Sequence, residues 1–293
     1  MVILTEACNL ETIDIDLKNG FEIVAEMNRE DAKVAKAVQK ELKKIGKAVD
    51  LIADCFLKGG RMAYFGAGTS GRLGVLDASE CVPTFGVDKN MVRAYIAGGD
   101  DALRYSVEKA EDSAELALRD MSDFKAGKND VIVGISASGN PAYVVTALKE
   151  AHKKGAYTIG ISCNPDALLK TVSDIFICPI VGPEVIVGSS RLKAGTAQKM
   201  VLNMLSTGAM IRIGKTYQNY MIDVEVSNRK LFERACRFIS EICGVDKKEA
   251  GIWLEKSGYH VKTACVMKLK NCSCREAEKM LENVGGVLRK VID

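Results

Sequence analysis

Residues 61–76 read RMAYFGAGTSGRLGVL, and the order in which their properties change decides the fold. Arg61 to Phe65 is a short, aromatic-rich run of strand length. Gly66-Ala-Gly68-Thr69-Ser70-Gly71-Arg72 is small and hydroxylated, and Leu73 and Leu76 then recur at helical spacing. A strand that closes on a glycine-rich loop and opens into a helix is a building unit of parallel sheets. The pattern repeats downstream, with β-rich runs at Met91 to Ile96, Asp130 to Ser136, Tyr157 to Ser162 and Asp174 to Cys178. Strands alternating with helices predict an α/β fold, a parallel sheet covered by helices on both faces.

Upstream of that stretch, Val34, Ala37, Val38, Leu42, Ile45 and Val49 predict one helix over Asn28 to Leu57. Downstream, Ala197, Met200, Val201, Met204, Leu205, Gly208 and Ala209 form one apolar stripe on a helix from Ala194 to Ile213. Beyond Asn228 the β signal disappears, and short apolar repeats predict small helices only. The expected division is a helical lead-in at 1–50, a sheet-bearing catalytic domain at 51–227 and a small all-helical C-terminal domain at 228–293.

Composition narrows the function classes. The 293 residues are 47% apolar and 27% charged, and the net charge is +3 with both signs interspersed. That is far short of a nucleic-acid footprint, and there is no basic run to track phosphate backbones or anionic lipid. The opening MVILTEACNL (Met1 to Leu10) is too short for a signal peptide, and no later stretch is long enough for a bilayer. A cytoplasmic protein with no membrane partner is expected. The ten cysteines lack metal-ligand spacing; the closest pair, Cys272-Ser-Cys274, is not a C-x-x-C site, and unpatterned thiols indicate a reducing compartment. With only His152 and His260, a histidine-based zinc site or catalytic triad has little to work with. Chemistry on carboxylates, hydroxyls, backbone amides or lysine is expected, with no metal and no organic cofactor.

Three loops carry the functional signal. The first holds Gly68, Thr69, Ser70 and Gly71; the second holds Ser136, Ser138, Gly139 and Asn140 after the run VIVGI; the third holds Ser189 and Ser190 and leads to Lys193. Small residues let backbone amides approach an anion, helix N-termini offer unpaired N–H groups, and hydroxyls add donors, so a phosphate is the ligand they fit. The competing reading makes the same residues plain N-caps and turn formers. The first loop also spells G-x-G-x-x-G, but a dinucleotide site wants an acidic residue about 20 positions on. Here the next strand ends at Asp100, too late for that role.

Two glutamates stand out. Glu80 follows Leu73 and Leu76 by seven and four residues, which predicts a place on the buried side of its helix. Glu111 follows Val107 by four on a helix whose stripe runs Leu103, Val107, Ala110 and Ala114. A half-buried carboxyl near a ligand suits general acid or base duty. A solvated or ion-paired carboxylate is the alternative, and Glu108 and Glu115 fit it better.

At these residues the chain resembles a known family. The segments GAGTSGRLGVLDASECVPTFG (Gly66 to Gly86), AGGDDAL…VEKAEDS (Ala97 to Ser113), IGISCNPDA (Ile159 to Ala167) and VGPEV…GSSRLKAGTAQKMVLNMLSTGAMIRIGKTYQN (Val181 to Asn219) resemble the N-acetylmuramic acid 6-phosphate etherases, from about Thr5 into the tail. The resemblance implies a sugar-isomerase (SIS) fold with a UBA-like helical C-terminal domain, and a homodimer. It also implies cleavage of the D-lactyl ether of N-acetylmuramic acid 6-phosphate, a phosphorylated amino sugar, in cell-wall recycling. By motif, Glu80 matches the proton donor to the departing lactate and Glu111 the second catalytic residue, expected to be the base. Two positions depart from the family pattern: Cys8 and Asn140 stand where arginines are typical. The rivals are a non-catalytic sugar-phosphate sensor, which needs neither glutamate, and an SIS-fold isomerase, which expels no lactate.

Overall fold

The computed structural model describes residues 6–226 and 228–293. The apolar opening over Met1 to Thr5, and Ser227 at the expected domain boundary, lie outside the described residues. The chain forms two compact units: one runs to Ser79 and resumes over Lys89–Ser206, the other comprises Glu80–Asp88 and Thr207–Asp293.

The first unit is built on a sheet of five parallel strands in the order β2-β1-β3-β4-β5. They are β1 (Met62–Gly66), β2 (Val92–Ile96), β3 (Val131–Ile135), β4 (Tyr157–Ile161) and β5 (Ile175–Ile177), each within two residues of its predicted run. Every residue of β1 and β3 is buried, as expected of strands covered on both faces. On one face Phe65 stacks on Tyr95 at 4.8 Å and meets Tyr143 at 6.1 Å, against Phe124, Ile132 and Leu148. The Tyr143 hydroxyl donates to Asp120 at 2.7 Å, so its polar tip is satisfied inside that core.

The predicted helix over 28–57 is two helices, α1 (Gly20–Gln39) and α2 (Leu42–Leu57). The first begins at Gly20, before the expected Asn28, on a reciprocal capping box of Asn19 and Glu22. The break between the two is likewise unmarked in the expected helix. It forms where the Glu41 carboxylate leaves the helical run to accept the Cys178 N–H at 3.0 Å and Lys44 Nζ at 2.8 Å, a tertiary contact with no local signature.

Helix α3 (Gly68–Phe85) follows β1. Its buried face is Ser70, Gly71, Gly74, Ala78, Cys81 and Phe85, whereas Leu76 is exposed. Small residues line that face because the helix runs close to the sheet: a Cβ on Gly74 would stand 2.9 Å from Tyr64 Cβ. The helix expected to carry Glu111 is also interrupted. After α4 (Asp101–Arg104), Tyr105 is extended, Lys109 is left-handed at φ 60°, and Ala110–Asp112 is a 3-10 turn. Helix α5 (Ala114–Phe124) then begins on Ser113, whose Oγ accepts the Leu116 N–H at 3.2 Å. Helix α6 (Ala142–Lys153) joins β3 to β4, and α7 (Lys193–Arg212) follows the third loop.

The second unit carries a two-strand ribbon missed in the sequence, β6 (Thr216–Tyr217) and β7 (Tyr220–Met221). Four short helices follow: α8 (Arg229–Cys243), α9 (Lys247–Lys256), α10 (Val261–Lys270) and α11 (Cys274–Asn283), then a last turn, α12 (Arg289–Ile292). Side chains of Asn228, Asp246 and Ser273 cap α8, α9 and α11, and Gly244 ends α8 in the left-handed conformation. Phe238, Ile239, Leu254, Ala264, Val266 and Leu281 make a core of the unit's own.

Candidate active site

Strand order reverses once in the sheet, because β1 is flanked by β2 on one side and β3 on the other. Open parallel sheets bind ligands outside the carboxyl ends of the strands at that point. Gly66 and Ile135, the last residues of β1 and β3, are paired there. The first two hydroxyl-rich loops leave from them.

The first loop is shaped by glycine. Gly68 takes φ +52°, and a Cβ on Gly71 would stand 2.6 Å from Ile96 Cγ1 and 2.8 Å from the Gly66 carbonyl oxygen. The first turn of α3 therefore presses on the strand ends, where its leading amides have no intrahelical acceptor. Thr69 is half-buried and lies against Gly195 of α7. Ser70 is 7% exposed, and its hydroxyl donates to Gln198 Oε1 at 2.9 Å.

The second loop folds on itself. Ser136 Oγ accepts the Gly139 N–H at 3.0 Å and stands 3.4 Å from Ser138 Oγ. Gly139, at φ +73°, has no room for a side chain, since its Cβ would meet Ala167 Cβ at 2.3 Å. Asn140 Oδ1 accepts the Leu168 N–H at 3.0 Å, and α6 opens two residues later, after Pro141. Ser138 is half-buried, and its carbonyl accepts Asn164 Nδ2 at 3.0 Å.

The third loop corrects an expectation. The N-terminus of α7 was read as open to an anion, yet the Glu184 carboxylate already accepts the Lys193 N–H at 3.0 Å and the Ala194 N–H at 2.9 Å. The next amide, of Gly195, goes to the Ser190 carbonyl at 2.9 Å. An internal carboxylate fills the place a phosphate would take. Burial pushes the Glu184 carboxyl up, and the two backbone N–H groups oppose that shift. Ser189 and Ser190 form the half-buried turn before α7. The Lys193 side chain is 1% exposed, and its ammonium pairs with equally buried Glu30, which also takes Lys33.

Glu80 and Glu111 also differ from expectation. Glu80 lies on α3 more than three turns after Gly68, on the exposed side, because the small residues take the buried one. Glu111 is exposed on the 3-10 turn, as are Glu108 and, on α5, Glu115. Gly68 and Glu111 nevertheless line one cleft of about 240 Å³, together with Arg72, Tyr105, Glu108 and Lys109. Arg72, at the end of the first loop, has no local sequence feature that marks it for the site. It donates from Nε to the Leu103 carbonyl and from Nη2 to the Tyr105 carbonyl, both at 3.1 Å. Left-handed Lys109, a conformation costing a non-glycine residue about 1 kcal/mol or more, turns the chain toward Glu111.

A larger cavity of about 700 Å³ belongs to the second unit and is lined by Lys215, Asp223, His260 and Lys262 among others. Asp223 takes both ammoniums, at 3.0 and 2.7 Å; burial pushes Lys262 down and Asp223 opposes it. None of the sequence-predicted site residues lines it.

Residues 33–152 match the glucokinase regulatory protein N-terminal SIS domain, 103–208 the SIS domain, and 218–264 the C-terminal lid domain of glucokinase regulatory protein. Among solved structures, the chain is similar to a phosphoheptose isomerase from Francisella tularensis (TM-score 0.50, 15% identity, 66% of this chain and 100% of that one), a likeness of fold. Among curated proteins it is similar to N-acetylmuramic acid 6-phosphate etherases from Vibrio atlanticus (48% identity, 99% of this chain and 95% of the relative) and Clostridium botulinum (47%, 99% and 96%). The Rhodopirellula baltica etherase is 51% identical over 98% of this chain and 95% of its own length. At that identity, over a chain whose sheet, loops and helical tail are all spanned by the match, the protein belongs to the N-acetylmuramic acid 6-phosphate etherase family.

Proposed function

We propose that this chain is a carbon–oxygen lyase that cleaves the D-lactyl ether of N-acetylmuramic acid 6-phosphate, giving N-acetylglucosamine 6-phosphate and D-lactate. The observation that carries the reading is the cleft lined both by Gly68, where the loop after β1 opens α3, and by Glu111. A phosphorylated sugar bound there has an anion site and a base within one small volume.

In the open-chain aldehyde the hydrogen on carbon 2 is acidified by the neighbouring carbonyl, and Glu111 removes it. The C3–O bond then breaks, and Glu80 supplies the proton without which the lactyl oxygen would leave as a poor alkoxide. Water adds to the unsaturated aldehyde at carbon 3, and carbon 2 is reprotonated, with the two carboxyl groups in exchanged roles. The leading amides of α3 and the hydroxyls of Thr69 and Ser138 hold the phosphate. The buried Ser70, Gly71, Ser136 and Gly139, with Asn140, Ser189, Ser190 and Lys193, fix the loops that present them. No step calls for a metal or an organic cofactor. A homodimer in the cytoplasm, where the ten thiols stay free, completes the reading.

The test is D-lactate release from N-acetylmuramic acid 6-phosphate by wild type, Glu80→Gln and Glu111→Gln. Each substitution is expected to lower the rate by about 10²–10⁴-fold, the usual contribution of a positioned proton transfer. Binding of the sugar phosphate without any lactate release by wild type would instead make the chain a sensor, and interconversion of aldose and ketose an isomerase.

A further inference from the structure

The charged groups of the Gly68 cleft are unequal. Glu108, Lys109 and Glu111 are exposed, whereas Arg72 is half-buried and fixed by two hydrogen bonds of 3.1 Å. Both acceptors are neutral carbonyls, of Leu103 and Tyr105, so neither offsets the guanidinium charge. Among the described residues no carboxylate forms an ion pair with Arg72, although the chain pairs Arg29, Arg61, Arg93, Arg119, Arg229 and Arg289. A guanidinium carries five N–H donors in one plane, and two are used here. What remains is an oriented cation with a free planar edge beside a cleft, the arrangement that recognises a carboxylate through two parallel hydrogen bonds.

The substrate proposed above brings two anions. Its phosphate is on carbon 6, while its carboxylate belongs to the ether substituent on carbon 3, next to the carbon from which Glu111 takes the proton. Arg72 shares its cleft with Glu111. With the phosphate taken by the leading amides of α3, the carboxylate is the anion left for Arg72. We propose that Arg72 binds the carboxylate of the lactyl group and so selects substrates whose departing ether carries an acid. The bonds to the Leu103 and Tyr105 carbonyls hold the guanidinium in place at the cleft. This inference rests on the etherase reading of the same cleft.

The experiment compares N-acetylmuramic acid 6-phosphate with 3-O-ethyl-N-acetylglucosamine 6-phosphate, in which hydrogen replaces the carboxylate. Formation of N-acetylglucosamine 6-phosphate, common to both, is followed with wild type, Arg72→Gln and Arg72→Lys. Arg72→Gln should lower kcat/KM on the order of 10²-fold for the acid and less than about 3-fold for the ethyl ether, as loss of a charge-assisted contact requires. Arg72→Lys, which keeps the charge without the fork, should lose roughly 10-fold on the acid alone. Equal losses on both substrates would overturn the carboxylate contact and leave Arg72 as a brace for the 103–105 turn. A phosphate contact would also give equal losses, because both substrates carry the phosphate, and it would overturn the carboxylate contact in the same way. If Arg72→Gln fails to fold, the substrate ratio in Arg72→Lys decides alone. Wild type that makes no product from the acid would sink the etherase reading itself, an outcome the variants cannot imitate.

Discussion

Lys193 shows how a residue can be found by its surroundings in sequence and yet serve a different end. It follows a Ser-Ser turn, as a phosphate ligand would, but its ammonium is buried against Glu30. Removing one partner of a buried pair strands the other charge, at a cost of about 3–5 kcal/mol, whereas replacing both by groups of similar shape is close to neutral. Urea unfolding should therefore rank Glu30→Gln well below wild type, with the double variant Glu30→Gln/Lys193→Met recovering most of the loss. An additive double variant would show that the pair contributes nothing to stability. The same pair sets a pH response. Burial pushes the Glu30 carboxyl up, but hydrogen bonds from Lys193 and Lys33 outweigh it and hold the group at about 2, below the ordinary 4.5. A carboxyl depressed in the folded state stabilises above its unfolded value, and that contribution drains away as pH falls from about 4.5 through about 2. Stability of wild type should decline across that window more steeply than stability of the double variant.

Among elements, what was legible followed burial. The strands of the sheet are apolar runs because both faces are covered, and their places were readable to within two residues. The buried face of helix α3 carries little hydrophobic signal because close approach to Gly66 and Ile96 at Gly71, and to Tyr64 at Gly74, leaves room for no side chain there, and Ala78 continues that face. The turn before Glu111 was read as helix because Leu103, Val107, Ala110 and Ala114 keep helical spacing, while extended Tyr105, left-handed Lys109 and the Ser113 cap break it. Glu184 and Arg72 went unassigned as site residues because their partners are backbone groups brought together by folding. The close approach predicts its own sensitivity. Gly71→Ala places a Cβ against Ile96 and the Gly66 carbonyl, and Gly139→Ala places one against Ala167 in a left-handed conformation. Each should cost about 1–3 kcal/mol in stability and weaken sugar-phosphate binding by shifting a loop. Calorimetric titration with N-acetylglucosamine 6-phosphate checks this, and unchanged affinity in both variants would detach the loops from phosphate recognition.

At the scale of the whole molecule, α1 buries Val34, Ala37 and Val38 but also carries apolar residues on its outer side. It buries Glu26 and Glu30 in ion pairs and exposes Phe21 and Val24 on the opposite side. Leu10, Ile13 and Leu17 extend that apolar ridge through the preceding turns, with Leu17 83% and Phe21 79% exposed. Exposed apolar ridges of this kind mark association sites. A second copy of the chain is the partner that the homodimer reading supplies. The ridge would then form the apolar centre of an interface that, for a stable dimer, buries roughly 800 Å² per subunit. Placing an uncompensated carboxylate there is far more costly in a dimer than on a free surface. Sedimentation velocity at micromolar concentration should find wild type as a dimer and Leu17→Asp/Phe21→Asp as a folded monomer, with the circular dichroism of the helices retained. A double variant that stays dimeric would move the interface to another face, and a monomeric wild type would leave the ridge without this partner.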